Sequence, residues 1–296
     1  MKLSVFTAVA LALLTCTAPV FAEDITVFDA NSVISAGQTF DTVVVKGPDT
    51  VLKIDGATVT KLIVTDAARV DMSAGSIQEA YTYDQSTLNA TGGTLSWAEV
   101  FQGSTFILAG SANCVSIKAA ECCARVIVDG PSAFSGGVSV AGARFEMRDG
   151  TVTGVNLFNG GIGDIHGGHI EFLNAERAGQ AYLYGGQIDN LTAIYAEPGR
   201  FHVIGHDLSA VSYGGAHGRG QVEGFWNNDD AFVIPFNDTA VYAFLRLYDG
   251  VIPPRCVDQP GADITGDCKV DLHDLAELAG DWLKCGLANP DDCLAN

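Results

Sequence analysis

The chain has 296 residues, of which 48% are hydrophobic, 17% are charged and 34 are glycines, and its formal net charge is −19 at pH 7. This composition excludes an intrinsically disordered chain and a coiled coil, and it is typical of a β-rich protein with many turns. The negative charge excludes nucleic acid and anionic membrane surfaces as partners, since both would repel the protein.

Residues 1–22 have the features of a secretory signal peptide. A positively charged start precedes an apolar run over residues 5–14, and the small-residue end Val20-Phe21-Ala22 comes before Glu23. We expect cleavage after Ala22 and export through the periplasm to the cell surface or the medium. No later apolar run approaches the roughly eighteen residues that a membrane-spanning helix needs, so we expect no membrane span.

Residues 23–209 contain a short repeat. Each unit begins with an apolar residue, followed by one or two further residues and a glycine. Variable residues and a second apolar residue then complete it, as in Met147-Arg-Asp-Gly150-Thr-Val152. The recurring glycines lie at nearly equal intervals and are Gly56, Gly75, Gly93, Gly110, Gly130, Gly150, Gly168, Gly186 and Gly205. Between them lie short segments rich in β-branched residues, such as 61–64 and 125–128, which are typical of strands.

The repeat predicts an all-β fold, a parallel β-solenoid of about nine or ten coils. A coil that spans one glycine interval can hold three short strands joined by bends, and glycine suits the bends because it adopts left-handed backbone angles without strain. Inward apolar side chains would then stack in columns from coil to coil. We favour a right-handed β-helix, since a strict hexapeptide pattern is absent. A β-sandwich is the alternative, because its strands also recur at regular spacing.

Residues 210–252 differ in character from the repeat. They contain a glycine-rich stretch over residues 214–220 and many aromatic residues between positions 225 and 248. An open solenoid end exposes unpaired backbone and apolar side chains, so we interpret this segment as a cap with a hairpin that turns at Asn237-Asp238. Pro253 and Pro254 then begin a stiff linker.

The body shows no paired acid and base in its sequence. The candidate acids are scattered and are Asp164, Asp189, Glu197, Asp207, Asp229 and Asp230. Hydrolases and lyases need clustered acid and base groups, so we expect no catalytic residue in the body.

Histidines of the body recur at a spacing close to two coils. His166 and His202 form one such pair, and His169 and His206 form another, which predicts that each pair lies in one column. A stripe of imidazole and tyrosine rings that includes Tyr184 could stack on sugar rings. A solvated polar face of the solenoid explains the same residues.

Residues 263–274 have the ligand spacing of a twelve-residue calcium loop. Oxygen donors occupy loop positions 1, 3, 5, 7, 9 and 12, with a backbone carbonyl at position 7, and these residues are Asp263, Thr265, Asp267, Lys269, Asp271 and Asp274. Cys268 stands at position 6, where glycine is usual. An amphipathic helix follows the loop as far as residue 283. The sequence therefore predicts a Ca²⁺ site.

The loop and its helix resemble the dockerin type I repeat. Asp274 at the last loop position and the helix end Trp282-Leu283 carry the resemblance, which covers about residues 256–296. It implies a C-terminal module over residues 253–296 that binds Ca²⁺ and docks on a cohesin-like or cell-envelope protein. Dockerins carry two such repeats and this chain has one loop pattern, so the resemblance supports calcium binding more strongly than cohesin docking.

Export to an oxidising compartment predicts disulfides. The body contains Cys114, Cys122 and Cys123, whose pairing the sequence leaves open, and the tail contains Cys256, Cys268, Cys285 and Cys293.

The helix after the calcium loop restricts the pairing of the four tail cysteines. It is about 18 Å long, whereas bridged cysteines have Cα atoms within about 7 Å. This excludes a bridge from Cys268 to Cys285. Of the two remaining pairings we predict Cys256–Cys268 and Cys285–Cys293, since each uses neighbours on one side of the helix.

These features together predict a secreted, non-catalytic β-solenoid that acts as a surface scaffold or an adhesin and is attached through its calcium module. The resemblance to dockerins implies association with extracellular polysaccharide-degrading systems. It supports the alternative of a polysaccharide lyase, a glycoside hydrolase or a polysaccharide-binding β-helix protein.

Overall fold

The computed structural model describes residues 24–193, 199–214, 219–236 and 239–250, together with Leu272 and Leu275. Most of these residues form a parallel β-solenoid of about ten turns, as the glycine repeat predicts. Each turn pairs in register with the turn before and the turn after it, so that strands two apart in sequence are neighbours in the sheet. The prediction of an all-β parallel solenoid is confirmed, and the β-sandwich alternative is wrong.

Each coil contains two strands. The first is short and belongs to the face that we call the first face, which contains β2 (Ser32–Ser35), β6 (Thr87–Ala90), β8 (Thr105–Ala109), β10 (Arg125–Asp129), β12 (Arg144–Met147), β14 (Ile162–Ile165) and β16 (Gln180–Leu183). The second belongs to the second face and is longer in the coils of the middle of the solenoid. This face contains β1 (Ile25–Phe28), β3 (Thr39–Val45), β7 (Thr94–Val100), β9 (Asn113–Ala120), β11 (Phe134–Ala141), β13 (Thr151–Phe158), β15 (His169–Ala175), β17 (Gln187–Ile188) and β18 (Leu191–Thr192). In the last coil two short strands, β17 and β18, both pair with β15.

The longer strands bend where two successive side chains point outward. In β7, Leu95 and Ala98 are buried, while Ser96 and Trp97 between them are not. In two coils both faces belong to one continuous strand, β4 (Val51–Val64) and β5 (Arg69–Thr82). The repeat predicts three short strands per coil. Most coils contain one short strand and one bent strand instead.

Inward apolar side chains stack in columns along the solenoid axis. One column runs through β3, β4, β5, β7, β9, β11, β13, β15 and β18 and contains Val43, Leu62, Ala80, Ala98, Ile117, Val138, Val155, Leu173 and Leu191. All of these side chains are buried. Burial of apolar surface in such columns is the main favourable contribution to folding.

An antiparallel β-meander of β19 (Arg200–Gly214), β20 (Arg219–Phe225) and β21 (Ala231–Phe236) closes the C-terminal end of the solenoid. The helix α1 (Thr239–Phe244) and the strand β22 (Leu245–Asp249) follow it, and β22 is parallel to β19. β19 begins as a parallel neighbour of β16 and becomes antiparallel to β20 from His206 onward.

Strand β21 is antiparallel to β20, and Phe236 in β21 pairs with Leu191 of the last coil. Trp226 stacks on Phe232 with ring centroids 3.9 Å apart and is almost fully buried. The expected hairpin turn at Asn237-Asp238 lies outside the described residues. None of the described helices is long and apolar enough to cross a bilayer.

Candidate functional site

One outward column of the first face carries charged and aromatic groups in consecutive coils. Because side chains alternate along a strand, residues at the same register position of stacked strands form a row on one face of the sheet. Glu146 of β12 pairs with Asp164 of β14, Asp164 with Tyr182 of β16, and Tyr182 with His202 of β19. We call these four residues the polar column.

Glu146 is the most strongly paired acid of this column. It accepts hydrogen bonds from Arg125 and from Arg148 Nε at 2.6 Å, and Arg148 also contacts Asp129 at 3.0 Å. Burial alone would raise the pKa of Glu146, but the two arginines outweigh burial and hold this pKa below its usual value. The Glu146 carboxyl is therefore an ionised structural partner at neutral pH.

His202 is held between two tyrosine rings at the other end of the polar column. Its ring centroid lies 4.3 Å from that of Tyr182 and 5.6 Å from that of Tyr248, and its Nδ1 is 3.0 Å from the Tyr248 hydroxyl. Burial, and then the charges of Arg200 and Arg246, lower the pKa of His202 to about 3. The imidazole is neutral at physiological pH and carries no proton that it could donate as a cationic acid.

The predicted column of His166, Tyr184 and His202 is wrong. His166 stacks on Tyr184 with ring centroids 4.8 Å apart, but His202 pairs with Tyr182 instead. The coil that leads from Tyr182 to His202 is longer than the coil that leads from Asp164 to Tyr182, and the added length moves His202 into the neighbouring column.

The predicted pairing of His169 with His206 is also wrong. His169 pairs with Gln187 one coil later, as its spacing predicts, whereas His206 opens the antiparallel part of β19. His206 contacts Asp207 at 3.2 Å and Asp229 at 3.0 Å, and these two exposed carboxylates raise its pKa.

A cleft of about 370 Å³ lies between the last coil and the cap strand β21. Its lining residues are His169, Glu171, Phe172, Asp189, Asn190 and Pro235. Asp189 Oδ2 is 2.8 Å from His169 Nε2, and Asp189 Oδ1 accepts a hydrogen bond from Gln187 at 2.9 Å. These hydrogen bonds, from Gln187 and then from His169, lower the pKa of Asp189.

Sequence reasoning identified Asp164, Asp189 and His169 as candidates but overlooked Glu146, Glu171 and Phe172. Glu146 precedes Asp164 by the length of one coil, and that spacing was the available signal. Glu171 and Phe172 have no comparable signal, because the cleft depends on a cap strand that follows them much later in the sequence.

The body cysteines form no disulfide within the described residues. Cys114 is buried, and burial raises the pKa of its thiol to about 12. Cys122 is exposed. Cys114 is thus protected from oxidation by its environment, whereas Cys122 is accessible.

The predicted calcium ligands Asp263 to Asp274 and the four tail cysteines lie outside the described residues. Within the ranges that the structure describes, no group of three or more His, Cys, Asp or Glu side chains is arranged to hold a metal ion. No family model, no curated protein and no solved structure matches the chain.

Proposed function

We propose that the chain is an exported, non-catalytic β-solenoid that presents a long surface as a scaffold, spacer or adhesin. Residues 253–296 would bind Ca²⁺ and attach the solenoid to a cohesin-like or cell-envelope protein. The right-handed form is our preferred geometry for the coils. The ligand spacing of residues 263–274 supports the calcium site, and the features of residues 1–22 support export.

One observation supports the non-catalytic role: titratable groups on the first face take part in structural hydrogen bonds and ion pairs. A general acid needs a pKa close to the working pH, which is usually reached by raising the pKa of a carboxyl. Here the pKa of Glu146 is lowered instead, and the pKa of Asp71, in the equivalent column of β5, is lowered by hydrogen bonds from Arg69 and Asn89 that outweigh its burial. His202 is neutral and buried.

The second face has the regular surface that a scaffold or an adhesin would present. One of its outward columns is a polar ladder in which Thr39, Thr58, Ser76 and Thr94 occupy the same register position of successive coils. In another column of this face, at β13 and β15, the side-chain amide of Asn174 donates a 2.8 Å hydrogen bond to Asn156 Oδ1. Over the coils of β3 to β7 the first row repeats a short hydroxyl side chain, which favours an extended contact over a single reactive centre.

The attachment role is tested by localisation of the mature full-length protein. The producing cells would be fractionated with and without a calcium chelator, for the natural chain and for a variant with Asp263→Ala and Asp267→Ala. We expect the natural chain to stay with the cell surface or a large extracellular complex, and the chelator and the double variant to release it to the same extent. Retention of the double variant at the natural level would refute the calcium-dependent attachment.

A carbohydrate-active enzyme is the second candidate function. The observation that favours it is the pairing of two carboxyls, Glu146 and Asp164, on adjacent coils, since glycosidases use two carboxyl groups that flank the cleaved bond. The mature protein would be incubated with neutral and acidic polysaccharides, and new reducing ends or unsaturated products would be measured. Product formation that Asp164→Asn abolishes would favour the enzyme over the scaffold.

A further inference from the structure

We propose that the cleft between the last coil and cap strand β21 binds a neutral saccharide unit of a glycan. This site is independent of the calcium module and goes beyond the scaffold role. The cleft volume of about 370 Å³ lies within the range of small-ligand sites. Its lining combines one exposed aromatic ring with carboxylate, imidazole and amide groups, which is the combination that a sugar ring and its hydroxyl groups require.

Phe172 supplies the apolar platform. Its side chain is 51% exposed, although an aromatic ring contributes most to the stability of a fold when it is buried. The residues at the same position of the two preceding coils are Gly154 and Gly137, so no side chain covers the ring from that side. A Cβ placed on Gly154 would meet nothing within 4 Å. The exposed ring is therefore open to a ligand from the side of the preceding coil.

The polar groups of the cleft are held in place before any ligand arrives. Asp189 is fixed by Gln187 and His169, and His169 pairs in register with Gln187. Preorganised acceptors of this kind bind hydroxyl groups without a large loss of side-chain entropy. Glu171, on the same strand as Phe172, adds a further carboxylate at the cleft.

Charge decides which class of saccharide fits. Asp189 has a lowered pKa and is ionised, Glu171 adds a second acidic group, and the whole chain carries a formal charge of −19. Uronates and sulfated sugars would be repelled. A metal ion is also disfavoured, because no three His, Cys, Asp or Glu side chains of the described residues are arranged to hold one. A neutral glycan is the ligand class that remains.

Affinity electrophoresis of the mature full-length protein tests the site. Native gels would contain a neutral polysaccharide, with β-glucan, xylan and galactomannan each used in turn, or an acidic one, polygalacturonate or alginate. We expect at least one neutral polysaccharide to retard the protein and neither acidic one to do so. Phe172→Ala removes the platform. The affinity of this variant for the retarding polysaccharide, obtained from its mobility at several polysaccharide concentrations, should be about tenfold lower, as estimated from the energy of an aromatic contact. Asp189→Asn should also weaken it.

Matched variants separate the cleft from the rest of the surface. Phe134→Ala removes another exposed phenylalanine, 38% exposed, from the second face outside the cleft, and Asp41→Asn removes an exposed acid from the other end of the solenoid. Both should be retarded like the natural protein. No retardation by any of the three neutral polysaccharides would overturn the proposal. Equal retardation of Phe172→Ala and Phe134→Ala, or stronger retardation by the acidic polysaccharides, would also overturn it.

Discussion

Replacement of Gly168 by alanine should destabilise the solenoid by two separable effects. Gly168 has a φ of +79°, a left-handed conformation that costs an L-residue about 1–2 kcal/mol. An added Cβ would also lie 2.7 Å from the Gly150 carbonyl oxygen of the preceding coil and 3.0 Å from the Asp149 carbonyl carbon. Overpacking of this kind costs about 1–3 kcal/mol. The expected loss of unfolding free energy is therefore about 2–5 kcal/mol.

Two other glycines in the same part of the solenoid provide controls. Gly160 has a φ of +80°, but a Cβ there would meet nothing within 4 Å, so Gly160→Ala should cost only the backbone strain of about 1–2 kcal/mol. Gly154 does not have a left-handed conformation, and a Cβ added to it would meet no atom within 4 Å. Gly154→Ala should be neutral or stabilise by up to about 1 kcal/mol, because alanine lowers the entropy of the unfolded chain.

Equilibrium unfolding in guanidinium chloride, followed by far-ultraviolet circular dichroism, measures the three variants against the natural protein. The denaturant concentration at the midpoint should be highest for Gly154→Ala, lower for Gly160→Ala and lowest for Gly168→Ala. The slopes should be similar, so that differences between midpoints report differences in stability. If Gly168→Ala unfolds at the same denaturant concentration as Gly160→Ala, the close approach of adjacent coils at Gly168 is not a constraint and this reasoning is refuted.

Three further predictions concern protons, calcium and cysteines. Because burial lowers the pKa of His202 from 6.5 to about 3, the unfolded chain binds the proton first, and stability should fall as the pH drops below 6.5 by up to about 1.4 kcal/mol per pH unit. His202→Gln should remove this slope above about pH 5 in urea unfolding, whereas at lower pH carboxyls with a lowered pKa such as Glu146 add to it. Calorimetry should show one Ca²⁺ bound at about 10⁻⁴ to 10⁻³ M, absent from the double aspartate variant. Non-reducing peptide mapping should recover Cys256–Cys268 and Cys285–Cys293, and a peptide joining Cys268 to Cys285 would contradict a loop followed by one straight helix.

The solenoid was predictable because its repeat is local. Glycine at the bends and β-branched residues between them recur at each coil, and the inward column that contains Leu62, Ile117 and Leu173 follows from that period. Register across many coils was not predictable to the residue. The coils differ slightly in length. When a coil is longer by an even number of residues, inward side chains still point inward and outward side chains outward, but an outward side chain moves to the next outward column.

His202 shows how this limit affects the candidate site. Its sequence spacing from His166 suggested a shared column, yet its neighbours are Tyr182 and Tyr248, and Tyr248 comes from a strand that joins the sheet only after the cap has folded back. No periodicity within residues 23–209 contains that strand. A side chain at the end of the repeat therefore has surroundings that the repeat does not determine.

The cap brings residues from outside the repeat against the last coil. Within the regular coils the neighbours of a side chain one coil away come from the same register position, as in the ladder of Thr39, Thr58 and Ser76. The cleft at Phe172 and Asp189 lies where β21 replaces the next coil as the neighbour of Leu191. The internal coils also form a cleft, beside Asp55 and Asp71, but there both walls belong to the repeat. The cap strand instead brings a different sequence, with Pro235, against the last coil. A search for ligands should therefore begin at this end of the solenoid.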